Sequence, residues 1–326
     1  MKYPILSLAG VLIRSALARD CILPEPTTTI YSHEGLGVLQ ECTSITGNLV
    51  VDPSFTTHFV LENLTILNGS ITVADIYYTM VAIRLPNLVS AGALILHEII
   101  DVELPRLDHI GDLLLDSFLP NNLDLGALTD ANNIWIYGGW ASVNLNNLTT
   151  VHKELAFKFA KTRHTLGRMP PWLVVDLPAL KTTAQFTVEG RIWRVSAPEL
   201  EVAGDMGMHD LNYTTGIRFN INNPIELEFP KLHSIGRQTQ VFGMVSRISL
   251  PALGETDSGL HFNTDSALEI YSTIQTARWV WLWGQIKRFA ISLFHSARSS
   301  EQSLMIPPAS NSPIWSVSAM SALQRR

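Results

Sequence analysis

The sequence predicts a mainly β protein built as a solenoid of short parallel strands, and three observations support this prediction. A unit that reads apolar-Pro-x-Leu recurs at intervals of about 20 residues. Each unit is followed by a run in which apolar and polar residues alternate, as they do in a half-buried strand. A period of this length is too short for a helix–turn–helix repeat, which needs about 33 residues.

The repeated unit is clearest in Leu104-Pro105-Arg106-Leu107, which leads into the run Gly111-Asp112-Leu113-Leu114-Leu115. Seven further copies begin at Leu85, Leu125, Leu145, Leu177, Ala197, Phe229 and Leu250. Two of the intervals are longer, which indicates one coil plus an insertion. Because proline cannot donate to a strand ladder, each unit is predicted to form a corner. Stacked coils would bury each other's apolar faces.

The composition is that of a folded chain with a sizeable core. Apolar residues make up 46% of the sequence and charged residues 16%, below the roughly 25% of an average domain. The net charge is -6, and the basic residues do not form a block. Nucleic acid is therefore not an expected partner.

The N-terminal segment, residues 1–18, has the features of a secretory signal. Lys2 supplies positive charge, an apolar run follows, and Ala16-Leu17-Ala18 fits a cleavage site. Arg14 interrupts this pattern, and a buried N-terminal segment is the alternative. Export is also favoured by four N-x-S/T sequons, at Asn63, Asn68, Asn147 and Asn212.

The two cysteines, Cys21 and Cys42, would oxidise in an exported protein. The bond would close a loop worth roughly 3 kcal/mol in the chain-entropy model, and two free thiols are the alternative. Residues 19–46 are therefore predicted to form a disulfide-stapled N-terminal cap, and residues 47–283 the solenoid itself.

The C-terminal part of the chain lacks the repeat. Ile286, Phe289 and Ala290 begin a set of apolar residues at helical spacing, so residues 284–298 are predicted to form a capping helix. Residues 299–326 are rich in serine and proline, and we expect them to be disordered or the product of a wrongly assigned gene end.

The stretch ECTSITGNLVV, from Glu41 to Val51, resembles the opening of fungal receptor-L-domain-like cell-surface proteins, a glycolipid-anchored family linked to cell-wall organisation and sporulation. Repeats of the form L-P-x-L-x-x-(I/V)-G-x-L-x-(I/L) are typical of that family, and residues 104–115 match this unit. The resemblance covers residues 38–272. It implies a right-handed, leucine-rich, β-helix-like fold, a secreted or wall location, a role in wall integrity and no enzymatic activity.

The last residues, 321–326, depart from the family because they are not the hydrophobic tail of an anchor signal. Attachment to a membrane is therefore expected only through an anchor that this C-terminus does not show. The partners that the resemblance implies are wall polysaccharide or wall proteins.

Three segments of the sequence are candidates for catalytic or metal sites. His97-Glu98 begins a near match to the zinc motif H-E-x-x-H, without the second histidine. Asn263-Thr264-Asp265 matches one piece of the pectin-hydrolase pattern, without its Asp-Asp and His-Gly parts. Asp112 and Asp116 are spaced to share one strand face, most simply as a solvated pair. The sequence therefore predicts no catalytic residue, no metal site and no cofactor.

The aromatic residues Tyr137 and Trp140, which flank Gly138-Gly139, are the predicted glycan contacts. Exposed rings of this kind stack on sugars, whereas core packing is the alternative, which alternation favours for Trp135. Three functions remain open at this point: a non-catalytic wall-organising glycoprotein, a glycan- or protein-binding module, and a polysaccharide-cleaving β-helix enzyme.

Overall fold

In the computed structural model the chain winds into a parallel β-solenoid of about 11 turns, which confirms the predicted fold class. The structure describes residues 19–55, 58–73, 81–117, 119–159, 172–204, 216–236, 238–254, 256, 259–274, 277, 279–291 and 304–305. The expected secretory signal, Asn212 and most of the expected disordered tail lie outside these residues.

The elements, in chain order, are β1 Asp20–Ile30, α1 His33–Gly37, β2 Ser44–Val51, β3 His58–Val60, β4 Ile66–Val73, β5 Ala82–Arg84, β6 Ser90–Leu96, β7 Asp101–Glu103, β8 His109–Ser117, β9 Asn122–Asp124, β10 Asp130–Gly138, β11 Ser142–Asn144, β12 Thr150–Phe159, β13 Leu173–Asp176, β14 Thr182–Gly190, β15 Ile192–Ser196, β16 Val202–Ala203, β17 Gly216–Glu228, β18 Ser234–Ile235, β19 Gln238–Leu250, β20 Gly259–Ser272, β21 Trp279–Ile291 and β22 Leu304–Met305.

Each turn of the solenoid, called a rung here, contributes to two faces. The long sheet runs in the order β1-β2-β4-β6-β8-β10-β12-β14-β17-β19-β20-β21-β22, so rungs that follow each other in the chain are neighbours in space. The short face is formed by β3-β5-β7, by β9-β11 and by β13-β15. The strands β17, β19, β20 and β21 have 13 or 14 residues each, and each pairing between neighbours among them contains a register shift, such as the one after Ile221.

The core lies between the two faces and is built from alternating inward residues. In β8, Leu113 and Leu115 point inward and are fully buried, whereas Asp112, Leu114 and Asp116 point outward. The inward leucines align with the equivalent apolar residues of β6 and β10. Burial of one such side chain contributes roughly 2 kcal/mol, so stability accumulates from rung to rung.

The predicted corners are confirmed as tight turns with two buried ends. The N–H of Leu107 donates to the carbonyl of Leu104 at 3.2 Å, and both leucines are buried. Proline suits the second position of such a turn because its φ is already fixed there. The buried pair Leu61 and Leu64 brackets a further corner, which the sequence analysis did not count and which lacks proline, as do the copies at Leu125 and Leu145.

The glycines near the start of the long-sheet strands, such as Gly47, Gly69, Gly92 and Gly111, have a packing reason. A Cβ on Gly69 would lie 2.0 Å from the carbonyl oxygen of Gly47 in the rung before, and one on Gly111 would lie 2.2 Å from that of Gly92. These distances are below any tolerated contact with backbone. Glycine is therefore required wherever one rung approaches the next this closely.

The predicted disulfide is confirmed, with the Cα atoms of Cys21 and Cys42 5.8 Å apart. The segment predicted to be a cap also contains β1, which pairs in parallel with β2 and so belongs to the long sheet. The short helix α1 buries Leu36 against this end of the core. Within the described ranges, no helix combines the length and apolarity needed to cross a bilayer.

The predicted capping helix is wrong where the structure describes it, since residues 284–291 belong to the strand β21. Arg288 of β21 lies opposite Glu269 of β20, and Leu282 of β21 points inward. The preceding rung offers a complete ladder of hydrogen-bonding partners, and this overrides a helical spacing of apolar residues. Residues 292–298 lie outside the described part of the chain.

Candidate functional site

The outward side chains of the long sheet form the surface with the most varied chemistry. Two groups of them are distinguished here. The central panel comprises the outward residues of β8, β10, β12 and β14: Asp112, Leu114, Asp116, Asn133, Trp135, Tyr137, Glu154, Ala156, Lys158, Gln185, Thr187 and Glu189. The terminal panel comprises six outward residues from the first halves of β19, β20 and β21: Gln240, Phe242, His261, Asn263, Trp281 and Trp283.

Glu154 lies at the centre of the central panel and accepts three side-chain hydrogen bonds. Its Oε2 accepts from Trp135 Nε1 at 2.8 Å, and its Oε1 accepts from Gln185 Nε2 at 3.2 Å and from Thr187 Oγ1 at 3.3 Å. Asn133 extends this net to the rung before, because its Nδ2 donates to Asp112 Oδ1 at 2.7 Å. The net thus links four successive rungs.

Tyr137 lies beside this net on the same outward face, half-buried. Its burial, followed by the negative charges of Glu154, Glu189 and Asp116, raises the pKa of Tyr137 to about 12. The phenol is therefore protonated at neutral pH. Lys158 Nζ lies 5.4 Å from the ring centroid, within cation–π range, and limits access to the ring from that side.

The structure separates the two residues that were predicted to contact glycan. Tyr137 faces outward, but Trp140 is fully buried, so its predicted contact with a sugar is wrong. Gly138, with φ 97°, turns the chain after β10, and the turn directs Trp140 into the core. Trp135 is also different from expectation, since it faces outward and bonds Glu154 rather than packing in the core.

The terminal panel was missed by the sequence analysis, although its alternating tryptophans in β21 were a usable signal. Gln240, His261 and Trp281 align across three rungs, and Phe242, Asn263 and Trp283 align beside them. The ring of His261 lies 5.1 Å from Phe242 and 5.6 Å from Trp281, measured between centroids. Burial lowers the pKa of His261. Trp281 is 45% exposed and Trp283 61%.

Three of the sequon asparagines are exposed, as glycosylation requires. Asn63 and Asn147 occupy the third position of a corner, where Nδ2 donates to the carbonyl of Gln40 at 2.7 Å and of Gly126 at 2.6 Å, respectively. Asn68 lies in β4, and Asn212 is outside the described residues.

The three candidate catalytic or metal segments lie in different parts of the solenoid. His97 and Glu98 lie in the loop after β6, and Thr264 of the N-T-D tripeptide is buried, with its hydroxyl donating to Ser266 O at 3.1 Å. Asp112 and Asp116 share the outer face, as predicted. Among the side chains that the structure describes, no group of three or more His, Cys, Asp or Glu residues suits a metal ion.

Comparison with protein-family models, with curated proteins and with solved structures finds no match for this chain.

Proposed function

We propose that this chain is an exported, non-catalytic glycoprotein that helps to organise a cell wall, as the resemblance of residues 41–51 to the receptor-L-domain-like family implies. The observation that carries the proposal is the Cys21–Cys42 disulfide at the first rungs of a stacked rod. Disulfides of this structural kind form and persist in oxidising compartments outside the cytosol. The exposed sequon asparagines agree with such a location.

The rod geometry suits a scaffold. Because each rung packs only on its neighbours, the solenoid extends one face continuously, with rungs about 4.8 Å apart. Asn63 and Asn147 both lie on the corner edge. Glycans at these two positions would line that edge and leave the central and terminal panels open.

Peptide mass spectrometry of the full chain, recovered from culture medium and from the wall fraction, tests the proposal. We expect cleavage after residue 18, a disulfide-linked pair of peptides containing Cys21 and Cys42, and glycan on Asn63 and Asn147. Deletion of the coding sequence is expected to raise sensitivity to a chitin-binding dye. Recovery only as a reduced, unmodified cytosolic protein would refute the proposal, and release of reducing sugar from wall polysaccharide would refute its non-catalytic part.

A second function, recognition of a wall glycan by the outer face, is favoured by one specific observation. Trp281 and Trp283 expose large rings on the outer face of a single strand, although most large apolar side chains of the described residues are buried. Adjacent exposed rings of this kind mark interaction surfaces.

A further inference from the structure

We propose that the terminal panel binds an uncharged polysaccharide built of pyranose rings. The proposal deepens the glycan-recognition candidate and rests on it, while it is independent of the wall-organising role. It assigns a surface and a ligand class, which the exposed tryptophans alone do not.

The panel has the dimensions of a platform rather than a pocket. Its six residues lie two to a rung on three neighbouring rungs, with rungs about 4.8 Å apart and alternate residues about 6.6 Å apart along a strand. Phe242, His261 and Trp281 form a continuous row of rings across these rungs. Trp283 extends the row along β21. Neighbouring rings in this row meet edge to face, at interplanar angles of 80° and 75°. A surface that offers rings on three successive rungs fits an extended chain of sugars better than a single small molecule.

The chemistry of the six positions selects for a neutral ligand. Three of them are carbocyclic or indole rings, and two are the amides Gln240 and Asn263. The sixth is the imidazole of His261, whose pKa is lowered by burial, which disfavours its charged form. Rings stack on the C–H faces of a pyranose, and amides both donate to and accept from its hydroxyls. A carboxylated or sulfated polymer would meet no opposite charge at these six positions, so charge complementarity favours an uncharged one.

The central panel lies on the same scaffold but is less suited to bind a neutral sugar. Its rings are already engaged, since Trp135 donates to Glu154 and Lys158 lies near Tyr137. Its carboxylates would have to lose water, and in part their present partners, before a neutral sugar could bind. The six residues of the terminal panel include no carboxylate and no ammonium group, and for this reason it is the better site for a neutral glycan.

Isothermal titration of the full secreted chain tests the proposal, with cellohexaose and chitohexaose as neutral probes and polygalacturonate as the acidic one. We expect saturable binding of at least one neutral probe and weaker binding of polygalacturonate. Trp283→Ala should weaken neutral binding about tenfold, because one stacked ring contributes on the order of 1.4 kcal/mol. The matched control is Trp193→Ala on the short face, since Trp193 is exposed to the same degree, 60% against 61%.

Several outcomes would overturn the proposal: no binding of either neutral probe, unchanged affinity in Trp283→Ala, equal loss in Trp193→Ala, or tighter binding of polygalacturonate. Sedimentation of the wild type and of Trp283→Ala tests whether the panel instead contacts a second copy of this chain. If the mass of the wild type falls with dilution and that of the variant is always monomeric, the panel is an interface with a second copy. Equal unfolding midpoints establish that both variants fold. Export, disulfide and glycan occupancy are measured separately, so the wall role can survive failure here.

Discussion

The central and terminal panels rest on the same scaffold and differ only in what points outward. In the central panel, polar side chains bond each other across rungs, with Glu154 accepting from Trp135, Gln185 and Thr187. In the terminal panel, the outward residues are rings and amides, and Trp283 of β21 is largely exposed. The inward residues therefore determine the solenoid. The outward residues of each rung can either stabilise the solenoid or bind a ligand.

The largest expected effect is a loss of stability when a buried corner leucine is truncated. It tests whether both panels share one scaffold. Leu128→Ala and Leu253→Ala each remove a fully buried corner leucine, the first beneath the central rungs and the second beneath the terminal ones. Each should lower the free energy of unfolding by about 2–5 kcal/mol, from lost burial and the cavity that is left. Urea denaturation followed by circular dichroism measures this.

The exposed corner residue Asn146 provides the control for both leucines, and Asn146→Ala should be close to neutral. A change below about 1 kcal/mol at Leu253 alone would mean that the terminal rungs are not stacked on the same core.

The scaffold was predictable from sequence because its rules are local. A corner needs an apolar residue, a turn and a leucine, and the glycine near the start of a long strand is required by the approach of the preceding rung, as at Gly69. These constraints repeat at a nearly constant interval. They could therefore be recognised without knowing which rungs touch.

The two panels were less predictable because facing direction depends on turns. Trp140 lies only five residues from Trp135, yet the turn at Gly138 directs it inward. The strand that carries Trp281 and Trp283 also fits a helical spacing further along. The hydrogen-bonding ladder of the preceding rung selects the strand over the helix. That ladder exists only in the folded chain, so it cannot be read from the local sequence.

A smaller effect distinguishes the two panels directly. Glu154→Ala leaves the indole N–H of Trp135 without its acceptor and removes one of the two acceptors of Gln185 Nε2, the other being Thr187 Oγ1. We expect a loss of about 1–2 kcal/mol in the free energy of unfolding. Gln240→Ala, the matched polar truncation in the terminal panel, should change stability by less than about 0.5 kcal/mol. Thermal and urea unfolding of both variants measure the difference. Equal losses would show that the central net does not stabilise the rod more than the terminal panel does.

The last effect appears only at high pH and concerns the proton of Tyr137. Burial first, and then the charge of Glu154, raise the pKa of Tyr137 from 10.0 to about 12. The unfolded chain thus releases this proton at lower pH than the folded one does. The stability it contributes is complete below pH 10 and is lost as the pH rises towards 12. The absorbance difference between wild type and Tyr137→Phe isolates this phenolate from the other tyrosines.

The same titration in Glu154→Gln separates the two causes, because the substitution removes one charge and leaves the ring where it is. We expect the pKa of Tyr137 to fall but to stay above 10.0, since burial is the larger cause and persists. Asn263→Asp, in the terminal panel, is the control and should leave the phenolate curve unchanged. A wild-type phenolate that forms at its ordinary pH would contradict the covered position of Tyr137. The central panel would then be as open to a ligand as the terminal one.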